Sequence, residues 1–243
     1  MQSPGFEVRP REMRESRFMS THPQMKTGRD VDQLRQLVLR MGGLAEEILE
    51  KALRATWRRD RALAESVMAD DLEIDRIDVE IDEAVLNVLA LRAPVAIDLR
   101  HVIAINTMAT DLERVGDLAR NIAGCARRLC EREAVSAPAD LKTLAEACQR
   151  ALSESLGAFA DLDVARARAV LAADNEIDAI ESGVVRGAIA RIQADPAISG
   201  QQIDLMFIAR NLERVGDHAT NIAEHVVLVA ESKNLKHREK LSR

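Results

Sequence analysis

The sequence predicts an all-α protein, a tandem repeat of two three-helix bundles built from six long antiparallel helices. Three observations point there. Hydrophobic residues make up 47% and charged residues 30%, aromatics are only 2% and Tyr is absent, a mix that favours helix over strand. Only six Pro and 11 Gly interrupt 243 residues. One phrase is also written twice: DLERVGDLARNIAG from Asp111 and NLERVGDHATNIAE from Asn211 share ten of 14 positions at an offset of 100 residues.

Residues 1–27 mix Pro, Ser, Arg and Glu without periodicity and are expected to form a disordered N-terminal arm, with Met19 a possible true start. After Asp30, Leu34, Leu37, Val38, Met41, Leu44, Ile48 and Leu53 set a helical period to about Arg59. Asp60 suits the N-cap of a second helix, to about residue 91. Ala93-Pro94 breaks it, and a third helix runs from about 97 to 132. Pro138 marks the middle of the chain, before a fourth helix over 139–160. Asp163 suits the cap of a fifth helix, ended near residue 193 by ADPAISG. A sixth covers about 200–231, and 233–243 is a basic C-terminal tail.

The halves correspond beyond the repeated phrase. DLEID at Asp71 matches DNEID at Asp174, and Asp60 matches Asp163, both at an offset of 103. The predicted organisation is therefore a first bundle over 28–134 and a second over 135–232.

Net charge of −6 argues against a protein that holds nucleic acid by neutralising phosphates. Cys125, Cys130 and Cys148 lack a C-x-x-C pair and read as free thiols of a reducing compartment. There is no run of 18 apolar residues, and the opening residues lack the apolar region of a secretory signal, so a cytoplasmic protein is expected.

Within the repeated phrase, Leu112, Val115, Ala119, Ile122 and Ala126 form an apolar stripe. Glu113, Asp117 and Asn121 step by four along a second stripe roughly opposite to it, with Gly116 between. Glu213, Gly216, Asp217 and Asn221 repeat the arrangement. A mid-helix Gly is locally unfavourable by about 0.5–1 kcal/mol, so a neighbouring helix is expected to approach there. On the second helix of each half, Asp71, Asp75, Asp78 and Asp82, or Asp174, Asp178 and Glu181, flank the apolar residues. Carboxylates four apart repel each other and can converge on one hard cation such as Mg, Ca, Mn or Fe. Roughly six such acid pairs are expected by chance at this acid content, so the residues alone leave a cation site and a solvated acidic face both open.

His22, His101, His218, His225 and His237 supply no Glu-x-x-His, which disfavours a ferritin-like di-iron bundle. His218 and His225 read as surface histidines, and Trp57 as packing near the first helix turn. There is no phosphate-binding glycine loop or nucleophile elbow, so the chain is not expected to be an enzyme. The alternative kept is a carboxylate-rich, non-haem metal-binding or metal-storage helical protein.

Taken together, Asp71–Asp75, Glu113–Asp117, Asp174–Asp178 and Glu213–Asp217, the doubled LERVGD and NIA, and PVAIDLR from Pro94 to Arg100 resemble the PhoU family of phosphate-transport regulators. The resemblance covers about residues 30–231, although the second half has no clear counterpart of PVAIDLR. It implies a cytoplasmic negative regulator of the phosphate-starvation response. Its partners would be the ATPase of the phosphate-specific ABC transporter and a phosphate-sensing histidine kinase, and it would meet the membrane only through them. It further implies a homodimer, partner contact at Arg100, and a divalent or trivalent metal (Mg, Mn, Fe or Zn) on the acidic motifs. The metal residues would be Asp71, Asp75, Glu113, Asp117, Asn121, Asp174, Asp178, Glu213, Asp217 and Asn221.

Overall fold

A computed structural model describes residues 23–231, with side chains from Gly28 onward. The basic tail 233–243, Met19, His22 and the arm up to residue 22 lie outside the described residues. Among the described residues the chain forms six α-helices and no strand. They are α1 (Pro23–Arg58), α2 (Arg61–Arg92), α3 (Ala96–Cys130), α4 (Ala139–Asp161), α5 (Val164–Ala194) and α6 (Ser199–Glu231), with a 3-10 turn at Pro196–Ile198 before α6.

The boundaries follow local chemistry. Asp60 and Asp163 each sit in extended backbone and accept from the N–H three residues on, Leu63 at 2.9 Å and Arg166 at 3.0 Å. Each cap follows a residue in left-handed backbone, Arg59 with φ 53° and Leu162 with φ 52°, so both halves use one turn. The first helix departs from expectation by starting at Pro23, inside the stretch assigned to the disordered arm. Proline suits a first helical position because its fixed φ is already helical and its missing N–H would have had no partner. Replacing Asp60 or Asp163 with Ala is expected to remove about 1 kcal/mol of stability each. This would appear as a lower urea midpoint at unchanged slope, with the exposed Glu80→Ala as an unaffected control.

In the first half α3 packs on both α1 and α2, and in the second α6 packs on both α4 and α5. The halves meet through α3 against α6 and α1 against α4. The pairs Asp111–His218 and Arg128–Asp204 show that α3 and α6 run antiparallel. Ile74, Ile77 and Ile81 of α2, Met108, Leu112 and Val115 of α3, and Ile208, Leu212 and Val215 of α6 belong to one continuous buried core shared by both halves. Trp57 packs on its margin, with Lys142 Nζ 5.8 Å from the ring centre.

Among the described residues no helix is long and apolar enough to cross a membrane. Cys125 and Cys148 are buried free thiols and Cys130 is half-buried. Burial pushes the two buried thiols up, to about 11 and about 12, which leaves them poor nucleophiles.

Candidate functional site

The α2–α3 seam holds the first acidic group. Gly116 brings the two helices close: a Cβ there would lie 2.7 Å from Asp71 Oδ1 and 3.0 Å from Ile74 Cδ1. Asp71, expected beside the apolar stripe, is instead packed within it and 2% exposed. Its charge is met by Arg120, whose Nη1 lies 2.8 Å from Oδ2. Arg120 also reaches Asp117, and Arg114 Nη1 lies 3.0 Å from the other Asp117 oxygen. Glu113 is partly buried beside them and pairs with Arg114 Nε at 3.2 Å, while Asp75 is exposed at the rim. In this half, guanidinium groups already stand among the carboxylates.

The α5–α6 seam is built alike, with Arg210 and Arg214 as its arginines, but fewer of its carboxylates are ion-paired. A Cβ on Gly216 would lie 3.2–3.3 Å from Ile177, so the small residue again serves the approach of two helices. The position of Arg120 is taken by Thr220, whose hydroxyl donates to Asp174 at 3.1 Å. Glu181, 4% exposed, is met by Arg210 at 3.2 Å. Among the described residues Asp178, Glu213 and Asp217 have no ion pair. Nor do any three His, Cys, Asp or Glu side chains among the described residues stand together as a ready metal-ligand set.

Crowding shows in the ionisation. Asp71, Asp78, Glu113, Glu213 and Asp217 all titrate above the ordinary carboxylate range, each first through burial and then through neighbouring charge. For Asp217 the neighbours raising it are Asp174 and Asp178, with His218 and Arg214 opposing. A carboxyl that titrates higher folded than unfolded binds more protons in the native state, so it favours folding at low pH and this contribution is lost as pH rises through the folded value. Asp217→Asn is therefore expected to stabilise the chain at neutral pH in EDTA. The gain should shrink toward zero as pH falls to the ordinary value of 3.8. Urea midpoints of both proteins across that range check the sign.

The two asparagines do not join the carboxylates. Asn221 Nδ2 donates to Asp111 Oδ1 at 3.0 Å across the α3–α6 interface, and exposed Asn121 lines a groove on α3. The reason is geometric: each step of four advances about 40° around a helix, so a third residue in the series has turned roughly 80° away from the first. Neither of the two expected surface histidines is exposed: His218 is partly buried and His225 is buried. His218 Nδ1 lies 2.8 Å from Asp111 Oδ1, and His225 is 4% exposed. Arg100 is half-buried early in α3, and its Nε is enclosed without a hydrogen-bond partner among the described residues. Next to it His101 is pushed below its ordinary value by burial and by the Arg35 charge.

The buried charges that join the halves are not among the sequence-based site candidates. Asp111 and Asp204 both lie in the α3–α6 interface. Asp204 Oδ1 receives Arg128 Nε at 2.7 Å and Oδ2 receives Arg132 Nη1 at 2.6 Å. The available signal was an acid at a core position, since Asp204 shares a face with Ile208 and Leu212.

Comparison with known proteins matches the PhoU domain over residues 38–126 and again over 141–226, one copy in each half. A phosphate-specific transport system accessory protein PhoU homolog of Caulobacter vibrioides is 37% identical over 207 residues, covering 85% of this chain and 90% of that protein. A homolog of the same description from Pseudomonas aeruginosa is 32% identical over 220 residues, covering 90% and 91%. The crystal structure of PhoU from Pseudomonas aeruginosa superposes with a TM-score of 0.82 at 33% identity, covering 85% of this chain and 99% of that one. The phosphate transport system regulatory protein PhoU from Streptococcus pneumoniae gives 0.81 at 27% identity, covering 86% and 99%. With a PhoU domain in each half and relatives of this identity along most of its length, the chain belongs to the PhoU family.

Proposed function

We propose that the chain is a cytoplasmic regulator of phosphate uptake and phosphate homeostasis that holds down the phosphate-starvation response. It works as a helical adaptor rather than an enzyme, joining the ATPase of the phosphate-specific ABC transporter to a phosphate-sensing histidine kinase, and it acts as a homodimer. The observation that carries this reading is the PhoU domain in both halves, and the names of the relatives as accessory proteins of phosphate-specific transport support it. The buried thiols, titrating far above neutral pH, fit an adaptor better than a nucleophilic enzyme. Arg100, half-buried early in α3, is the side chain we propose for partner contact.

The acidic seams are the proposed cation sites. Asp174, Asp178, Glu213 and Asp217 fit a hard divalent ion best, because two of them are raised by the others' charge and Thr220 leaves room for a cation. Such an ion, Mg, Mn, Fe or Zn, would neutralise the carboxylates that Arg210 and Arg214 leave without an ion pair. Asp71, Asp75, Glu113 and Asp117 form the matching group, where Arg120 and Arg114 supply part of that charge.

Deletion of the gene tests the regulatory reading. Phosphate-starvation genes should be expressed in phosphate-rich medium in the deletion strain and silenced again by the full-length chain. Normal repression in the deletion strain contradicts the proposal.

A further inference from the structure

The two halves differ along one groove. An open groove of about 500 Å³ runs along α3, walled by Ala64, Glu65 and Met68 of α2 and by Phe207 and Asn211 of α6. Its α3 side presents Arg120, Arg127, Arg128, Asn121 and Gly124. At the matching positions of the second half stand Thr220, Val227, Leu228, Asn221 and Glu224, with Thr107 in place of Phe207. Three arginines, an open glycine and a large aromatic ring thus occur in one copy only.

Each of these features suits a ligand. Arg127 is exposed and has neither ion pair nor hydrogen bond among the described residues. Arg120 and Arg128 hold Asp71 and Asp204 on one side and keep further N–H donors. Glu65, the acid lining the groove, is neutralised by Arg61 at 2.8 Å. Met68 and Phe207 are each 55% exposed, an unusual state for side chains of that size, and they line the groove from two different helices, α2 and α6. A thioether and an aromatic ring both pack well on a flat π system. Asn211 donates to the Phe207 carbonyl at 2.6 Å, which leaves its own amide oxygen free to accept. A Cβ on Gly124 would meet only Arg128 Nη1, at 3.9 Å, so this part of the wall is open. The volume lies within the range of small-molecule sites.

We propose that this groove binds a nucleoside phosphate, with the base between Met68 and Phe207, the base edge read by the Asn121 and Asn211 amides, and the phosphate on Arg127 assisted by Arg120 and Arg128. Bare phosphate would use the arginines and leave both apolar walls idle.

The test is calorimetric titration of the purified full-length protein in EDTA with AMP, ADP, ATP, adenosine and inorganic phosphate. EDTA removes metal-bridged binding at the acidic seams, so failure here is distinguishable from failure of the regulatory reading. At least one of the nucleotides should bind more tightly than both adenosine and inorganic phosphate by about tenfold or more. Arg127→Ala and Phe207→Ala should each weaken it about tenfold, Gly124→Leu should abolish it by filling the groove, and Thr107→Ala should leave it unchanged. Thermal unfolding confirms that each variant is folded, and Arg127→Glu serves if Gly124→Leu is not. Absence of nucleotide binding up to about 1 mM, undiminished binding in folded Gly124→Leu or Arg127→Glu, or equal binding of inorganic phosphate overturns the proposal.

Discussion

Replacing Arg120 with Thr is expected to remove about 2–3 kcal/mol of stability in metal-free buffer, and to open the first-half seam to a cation in the way proposed for the second. Asp71 is nearly inaccessible to water, and Arg120 is the cation in contact with it. Removing the guanidinium leaves a buried carboxylate among Asp75 and Asp117, the charges that already raise its pKa alongside burial. The loss falls below that of a fully enclosed pair because the Arg120 side chain is 42% exposed and a threonine hydroxyl can donate to Asp71 as Thr220 does to Asp174. Manganese should restore much of the lost stability in the variant by mass action. Manganese EPR should show additional bound ion relative to the parent. Unchanged stability would remove Arg120 from its role as resident counter-charge, and a loss that manganese does not relieve would contradict the proposed cation site.

Asp204→Ala is expected to have the other large effect, about 2–4 kcal/mol, by loosening the end where α3 meets α6. Asp204 is 3% exposed and accepts from both Arg128 and Arg132. Arg128 lies in the last turn of α3 and Arg132 just beyond its end, so one carboxylate ties two side chains of the first half to the second. Both are about two-fifths exposed and can be solvated once released, which keeps the loss moderate. Denaturant melts of Asp204→Ala, of Arg128→Ala and of the double variant measure this directly. The two losses should be strongly non-additive, because they break one contact; simple addition would show that the pair does not couple the halves.

Helices were legible wherever the signal is local. Asp60 and Asp163 announce their caps in sequence because an N-cap needs only its own side chain and the next three residues. The start at Pro23 was not legible from periodicity, since the apolar repeat begins only after Asp30. Gly116 and Gly216 were readable as points of helix approach, and the approach is there. Burial of charge was harder. Asp71 was recognised as an acid of the site but not as a core residue, because its counter-ion lies on another helix 49 positions away. His218 and Asn221 were misplaced for the same reason, their partner Asp111 being more than 100 residues distant. The change from Arg120 to Thr220 was visible in the repeat all along. Its meaning needed the geometry that puts a guanidinium between two carboxylates in one half only.

The most direct test joins the acidic seam to regulation. A strain lacking the gene is supplied with a chain carrying Asp174→Asn, Asp178→Asn, Glu213→Gln and Asp217→Asn, and alkaline phosphatase activity is measured as the phosphate-starvation reporter in phosphate-rich medium. These four changes remove charge at nearly constant shape, and immunoblotting confirms that the protein accumulates. The expected result is activity as high as in the deletion strain. Full repression by the accumulated variant contradicts the assignment of regulatory function to the acidic seam.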